Sequence, residues 1–166
     1  MSEGGPSAAA VEIKAVDPTH PDAQRCVRSY FAELDRRSDS GFDPATGISA
    51  EPHELRPPAG RMLVVYRGSE PIGCGAVKHR QDAPSEIKRM WVAETARGLG
   101  IGRRLLAELE ACAARSGTLT VRLETNRALT EAIAMYRSAG YVEVAPFNDE
   151  PFAHHWFEKT LPPRAQ

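Results

Sequence analysis

The chain has 166 residues, of which 42% are hydrophobic and 26% are charged, and its formal net charge is −1. These values are typical of a soluble globular protein, and the length fits one domain with its own core. No apolar run approaches the ~20 residues that cross a bilayer, and there is no dense basic block. We therefore expect no membrane segment and no nucleic-acid partner.

The ends of the chain differ in composition from the rest. Residues 1–10 are small, polar and glycine-rich, without the basic start and apolar centre of a secretory signal, which predicts a disordered tail. We expect a single domain over 11–161 and a short C-terminal tail over 162–166. The three cysteines are odd in number and widely spaced, which argues against a disulfide framework and indicates a reducing, cytoplasmic location.

Hydrophobic periodicity predicts mostly strands in the first half of the chain. The predicted elements there are a strand over 11–16, a helix over 22–37, a hairpin of strands over 61–67 and 71–79, and a strand over 86–92. The connection over 38–58 is rich in Gly, Pro, Ser and Asp, and loops of this length are often functional.

From Gly100 onward, apolar residues recur every three to four positions, which indicates a change to helix. The predicted elements are a helix from the glycines to about 116, a strand over 120–125, a helix around 129–139 that stops at Gly140, and strands over 141–144 and 155–159. The order of elements predicts an α/β mixture with an antiparallel front and a β-α-β crossover behind it.

The segment RGLGIGRRLL, residues 97–106, places three glycines in five positions between a predicted strand and a predicted helix. Each glycine costs roughly 0.5–1 kcal/mol in regular structure, so the cluster indicates close approach of the backbone to a ligand or to another element. A glycine-rich turn before a helix is a ready phosphate site. A Walker loop is excluded because Arg103 and Arg104 follow Gly102, and no G-x-G-x-x-G dinucleotide fingerprint is complete here.

The remaining pattern is R-x-x-G-x-G, formed by Arg97, Gly100 and Gly102. With the flanking MWVAETARGLGIG and the later AIAMYRSAGYVEV, the chain resembles the GCN5-related N-acetyltransferase (GNAT) superfamily. The resemblance is strongest over 86–144 and extends more weakly over 11–159. It implies an α/β (α+β) fold, with a central mixed, mostly antiparallel sheet of six to seven strands flanked by about four helices.

The resemblance also implies acetyl-CoA as cosubstrate, with its pyrophosphate held by backbone amides of the glycine loop. The implied cofactor-binding residues are Met90, Trp91 and Val92 at the strand end, then Arg97, Gly98, Leu99, Gly100, Ile101, Gly102 and Arg103 in the loop, and Asn126. An amide at the strand end would be the oxyanion donor. Arg104 would add positive charge beside Arg97 and Arg103, although either helix arginine could be solvated. Asn126 could instead cap the following helix.

Acyl transfer to an alkylamine needs a base, because the amine is protonated at neutral pH, and an acid for the departing thiolate. By resemblance, Tyr136 is the candidate acid, although its place on an apolar helix stripe also fits a core aromatic. The candidate bases are Glu86 and Glu124, and some family members have no dedicated base. Simple alternation places Glu86 on one face with Lys88 and Met90, which allows an ordinary surface pair with Lys88.

Acceptor identity is expected to depend on three segments, 30–58, 81–85 and 147–155. Four acidic residues could form a mouth that attracts a cationic amine or could be solvated loop charges: Glu33, Asp43, Asp149 and Glu150. We expect no metal site, because adjacent residues such as His154 and His155 point in opposite directions in a strand.

The function predicted from this resemblance is transfer of acetyl from acetyl-CoA to a primary amine of a small molecule or peptide, by direct attack in a ternary complex. A non-catalytic CoA-binding regulatory domain is the main alternative, since a fold does not guarantee its chemistry. A protein-interaction module without nucleotide is the third. Many family members pair edge strands into dimers, so the resemblance also allows a homodimer.

Overall fold

The computed structural model describes residues 11–39, 41–46 and 50–162. The predicted N-terminal tail, and all but the first residue of the predicted C-terminal tail, lie outside these residues. The strands are β1 Val11–Val16, β2 Gly60–Arg67, β3 Glu70–Lys78, β4 Ser85–Val92, β5 Thr120–Thr125, β6 Val142–Val144 and β7 His155–Thr160. The α-helices are α1 Pro21–Arg37, α2 Ile101–Arg115 and α3 Thr130–Ser138, and short 3-10 helices cover Pro44–Thr46, Pro52–Leu55 and Glu94–Ala96.

The strands form one seven-stranded sheet in the order β1-β2-β3-β4-β5-β7-β6. The β4–β5 pair is parallel, and the other five pairs are antiparallel. The predicted fold class, with its mixed and mostly antiparallel sheet, is therefore confirmed. Where about four helices are expected, the described residues contain three α-helices and three short 3-10 helices.

The parallel strands β4 and β5 are paired only at their beginnings. Ser85 lies opposite Val121 and Glu86 opposite Arg122, and no further pair is formed between these strands. Helix α2 makes the crossover that a parallel pair requires. The sheet is consequently open in its middle, between the second halves of β4 and β5.

Strand β4 contains a β-bulge at Arg89, whose φ is +58°. The extra residue reverses the alternation of side chains beyond it. Lys88 lies opposite Ala76, a residue of the core on the α1 side, whereas Met90 packs against the core on the α2 side. The expectation that Glu86, Lys88 and Met90 share one face is therefore wrong, because simple alternation does not survive the bulge.

Two hydrophobic cores cover the two faces of the sheet. The larger contains Leu105 and Leu109 of α2 with Phe157 of β7, all completely or almost completely buried. The smaller contains Cys26 of α1 and Cys74 of β3. Burial of apolar surface stabilises a fold by about 25 cal/mol per Å². Both cores therefore stabilise the sheet, including the part where β4 and β5 separate.

Candidate active site

The opening between β4 and β5 leads into a cleft of about 300 Å³. The cleft is formed by α1, the end of β4, the loop before α2, the first turn of α2, and α3 with the residue before it. Its lining residues are Tyr30, Glu33, Arg37, Met90, Trp91, Val92, Ala96, Arg97, Gly98, Gly100, Ile101, Gly102, Arg103, Leu129, Glu131, Ala132, Met135 and Tyr136. All the predicted cofactor-binding residues except Leu99 and Asn126 line it. Leu99 is 37% exposed on the loop.

The three loop glycines are required for two different reasons. Gly98 and Gly100 have φ values of +84° and +77°, a conformation that side chains disfavour. Space around both is open, since a Cβ there would meet nothing within 4 Å. At Gly102 a Cβ would lie 2.9 Å from Met135 Sδ, so this glycine allows α2 to pack closely on α3. Backbone access and helix packing thus explain the cluster together.

The amide groups of residues 98–103 donate no hydrogen bond to any described residue. They surround the first turn of α2, where four amides of a helix are always left without an internal partner and the helix dipole is positive. An anionic group can approach these amides because no side chain covers Gly98 or Gly100. The loop therefore fits a pyrophosphate group.

Arg97 is directed toward α1. Its Nε donates to the Val92 carbonyl at 3.0 Å, and its terminal nitrogen pairs with the Glu33 carboxylate. Glu33 also accepts from Trp91 Nε1 at 3.3 Å and from Arg37 at 3.1 Å. The expected place of Glu33 in an acidic mouth is wrong, because this carboxylate is 8% exposed and neutralised by two arginines.

The two arginines at the start of α2 have different surroundings. Arg103 lines the cleft and donates to the Ser138 carbonyl at 3.1 Å. Arg104 donates to the Val11 carbonyl of β1 at 3.1 Å and does not line the cleft. The expectation that Arg104 adds charge beside the loop is therefore wrong, since successive positions on a helix point about 100° apart.

Tyr136 combines a buried ring with a place on the cleft wall. The residue is 4% exposed and packs against Tyr141 and Phe157 at ring-centroid distances of 5.9 and 6.2 Å. Its hydroxyl has no hydrogen-bond partner among the described residues. Burial raises the pKa of this phenol, and the charge of Glu124 raises it further. The hydroxyl is therefore held protonated and is able to donate a proton.

A second pocket, of about 100 Å³, lies beside the cleft on the α1 side. Its lining residues are Tyr30, Phe31, Leu34, Phe42, Pro44, Ala50, Arg89, Glu124, Thr125, Asn126, Glu150, Phe152 and Ala153. Tyr30 also lines the cleft, so the two cavities meet at this side chain. Residues of the predicted acceptor segments 30–58 and 147–155 contribute to the pocket, whereas those of 81–85 do not.

Glu124 lines the second pocket, and one of its carboxylate oxygens has no hydrogen-bond partner among the described residues. Its Oε1 accepts from Lys88 Nζ at 2.8 Å, while its Oε2 is buried and has no hydrogen-bond partner. The side chain is only 9% exposed. Burying a carboxylate oxygen without a donor is unfavourable, which leaves Oε2 available to accept a hydrogen bond from an ammonium group or from water.

Glu86 lies where β4 and β5 are still paired, away from the opening. Its carboxylate is within 3.6 Å of Arg80 and 3.5 Å of Arg122, and it lines neither cavity. The pair with Lys88 is not formed, because Lys88 bonds to Glu124. Of the two candidate bases, Glu124 therefore lines the second pocket, whereas Glu86 lies in an ionic cluster with Arg80 and Arg122.

Asn126 lines the second pocket rather than the cleft. Its Nδ2 donates to the Phe152 carbonyl at 2.8 Å, and its Oδ1 accepts from the Ala128 amide at 2.9 Å. The N-cap of α3 is Leu129, so Asn126 does not cap that helix. Asn126 instead connects the segment before β7 to the end of β5, and its contact with the cofactor stays a prediction.

Over the described ranges, no three His, Cys, Asp or Glu side chains are grouped closely enough to hold a metal ion. His154 accepts from the Arg127 amide at 3.1 Å, and His155 contacts Glu143 at 2.8 Å. Within the same described residues, no helix has the length and apolarity needed to cross a membrane.

Two pocket residues are not singled out by the sequence patterns. Tyr30 belongs to the apolar stripe of α1, which predicts a core position as readily as a pocket wall. Arg89 is a lone arginine in a strand, and the bulge that turns it into the pocket has no glycine to mark it.

Comparison with known proteins places the chain among acetyltransferases. The family model of the acetyltransferase (GNAT) domain matches residues 58–143. An IAA acetyltransferase of Azospirillum brasilense is 35% identical over 125 residues, which cover 75% of this chain and 82% of that protein. The N-alpha-acetyltransferase RimI of Mycobacterium tuberculosis is 33% identical over 129 residues, which cover 76% of this chain and 76% of that protein.

The fold has a counterpart among solved structures. A GNAT family acetyltransferase from Elizabethkingia anophelis, solved with acetyl-CoA bound, superposes with a TM-score of 0.62. Sequence identity is 17%, and the superposition covers 92% of this chain and 99% of that one. The domain match, the two sequence relatives and the shared fold agree, and the chain belongs to the GNAT family of N-acetyltransferases.

Proposed function

We propose that the enzyme transfers the acetyl group of acetyl-CoA to a primary amine by direct attack in a ternary complex. The observation that carries this proposal is the meeting of two cavities at Tyr30, across the gap between β4 and β5. One cavity contains the unpartnered Tyr136 hydroxyl, and the other contains the unpartnered Glu124 oxygen. An acyl donor and an amine entering from opposite sides would meet between an acid and a base.

The amides of residues 98–103 would hold the pyrophosphate, with Arg103 at the edge of the cleft. The unpaired edge of β4 from Met90 to Val92 would hold the pantetheine arm, and a main-chain amide there would stabilise the oxyanion. Arg97 is a positioning residue, because its bonds to Val92 and Glu33 fix the loop against β4 and α1.

Acetyl-CoA supplies the activated thioester. Glu124 Oε2 would accept a proton from the acceptor ammonium, directly or through one water, and so free the amine lone pair. The amine nitrogen then bonds to the carbonyl carbon as the carbon–sulfur bond breaks. Tyr136 would donate its proton to the departing sulfur and recover one from solvent or from the acceptor. The products are an amide and CoA thiol.

The acceptor is proposed only as a primary amine of a small molecule or peptide. One relative is named an IAA acetyltransferase and the other an N-alpha-acetyltransferase, so the named acceptors differ between relatives. The cytoplasmic location and an edge-strand homodimer stay predictions from the sequence.

The test supplies acetyl-CoA with a panel of primary amines and follows free thiol together with the mass of the acetylated product. We expect thiol release that depends on the amine. A parallel calorimetric titration with CoA measures binding without transfer. Binding of CoA with no thiol release on any amine would support the regulatory alternative and contradict this proposal.

A further inference from the structure

Arg89 introduces a positive charge into a pocket that combines four aromatic side chains with two carboxylates. Its guanidinium donates to the Ala50 carbonyl at 2.8 Å and lies 5.8 Å from the centre of the Phe31 ring. The ring of Phe42 lies 5.2 Å from that of Phe31 and 4.4 Å from that of Phe152. The wall behind the guanidinium is therefore apolar.

No carboxylate forms an ion pair with Arg89 among the residues that the structure describes. The side chain is half-buried, and burial lowers the pKa of its guanidinium. A charge removed from water without a counter-ion is unfavourable, and only one of the five N–H donors of Arg89 has a partner among the described residues. Arg89 therefore retains most of its capacity to bind an anion.

The backbone of Arg89 adds an independent observation. Its φ of +58° is a left-handed conformation that favours glycine, and non-glycine residues there cost of order 1–3 kcal/mol. A bulge needed only to bend β4 would be more stable with glycine. The bulge instead carries the longest cationic side chain and directs it into the pocket that also contains the unpartnered Glu124 oxygen.

We infer that the acceptor carries a carboxylate or similar anionic group that binds Arg89, in addition to its reacting amine and an apolar or aromatic body. This inference rests on the proposed function, which places the amine at Glu124. The rings of Phe31, Phe42 and Phe152 contact the apolar body. Because Glu124 and Glu150 also line the pocket, a zwitterion fits better than a simple acid.

The test uses matched pairs of amines that differ only in charge. L-phenylalanine and 3-amino-3-phenylpropanoate, whose amine and carboxylate are separated differently, are each compared with their carboxamides. Affinity is measured by calorimetry with and without CoA, so that binding is detected even if no transfer occurs. kcat/KM is then measured with acetyl-CoA. In the wild type, at least one acid should bind about tenfold or more tightly than its carboxamide.

Three variants test whether Arg89 causes the preference for the acid over its carboxamide. Arg89→Gln removes the charge, and Arg89→Gly removes the side chain while suiting the left-handed backbone. Both should abolish the preference for the acid over the carboxamide, whereas Arg28→Gln, an equal loss of charge on the exposed face of α1, should retain it. Thermal melts verify folding. Equal affinity for acid and carboxamide in the wild type, or an unchanged preference in a folded Arg89 variant, would overturn the inference without affecting acetyl transfer to other amines.

Discussion

The two cavities are built in different ways. The loop side of the cleft offers main-chain amides from consecutive residues between the end of β4 and the first turn of α2, whereas α1 and α3 form its other walls. The second pocket is formed by residues of α1, β4, β5 and the segment before β7, together with Phe42, Pro44 and Ala50. A site made of backbone leaves a local pattern in the sequence, whereas a site assembled from distant side chains does not.

The largest effect is expected at Tyr136, on the wall of the cleft. Tyr136→Phe removes the proton donor and should lower kcat by about 10²–10⁴-fold with little change in the KM for acetyl-CoA. Since the pKa of this phenol is raised, wild-type kcat should not fall as pH passes the ordinary tyrosine value of about 10. Thiol release measured across pH checks both statements.

Tyr141→Phe is the matched control. The Tyr141 hydroxyl donates to Glu110 at 2.8 Å, outside the cleft, and Glu110 keeps its contact with Lys159 when that hydroxyl is removed. We expect a stability loss of about 1 kcal/mol and an unchanged kcat. Equal loss of kcat in both variants would show that Tyr136 acts through packing rather than proton transfer.

The second prediction separates the two glutamates. Glu124→Gln should lower kcat/KM by about 10²-fold, because the amide cannot accept a proton from the amine. Glu86→Gln should leave kcat/KM unchanged but destabilise the fold by about 1–3 kcal/mol, since Arg80 and Arg122 lose their counter-ion. Steady-state kinetics and urea unfolding measure the two effects. A larger loss of kcat/KM in Glu86→Gln than in Glu124→Gln would instead indicate that Glu86 is the base.

This pair of carboxylates also shows what sequence patterns reveal. The order of strands and helices along the chain and the loop of residues 97–102 are predictable, because periodicity and glycine spacing are properties of consecutive residues. The choice between Glu86 and Glu124 depends on where β4 and β5 separate. This is a property of the tertiary structure that the sequence of neither strand reveals by itself. The bulge at Arg89 likewise reverses side-chain faces without any local mark.

The third prediction tests whether the backbone of the loop is the cofactor site. Gly100→Ala introduces a Cβ at a φ of +77° on the cleft wall, and it should raise the KM for acetyl-CoA by about tenfold. Gly117→Ala places the same strain at a φ of +96°, beyond the other end of α2. Both should lose about 1 kcal/mol of stability. An equal rise in the KM for acetyl-CoA in both glycine variants would mean that Gly100→Ala acts only by destabilising the fold.

The smallest effect is expected from the neighbouring arginines of α2. Arg103 and Arg104 each donate to a main-chain carbonyl at 3.1 Å, but only Arg103 lines the cleft. Because Arg103 is exposed, its attraction for the pyrophosphate is screened by salt and worth about 1 kcal/mol or less. Arg103→Gln should therefore raise the KM for acetyl-CoA about threefold at low ionic strength and less at high salt, while Arg104→Gln leaves it unchanged. A salt-independent rise, or an equal rise in both variants, would mean that the main chain alone binds the pyrophosphate and that the arginines act through helix packing.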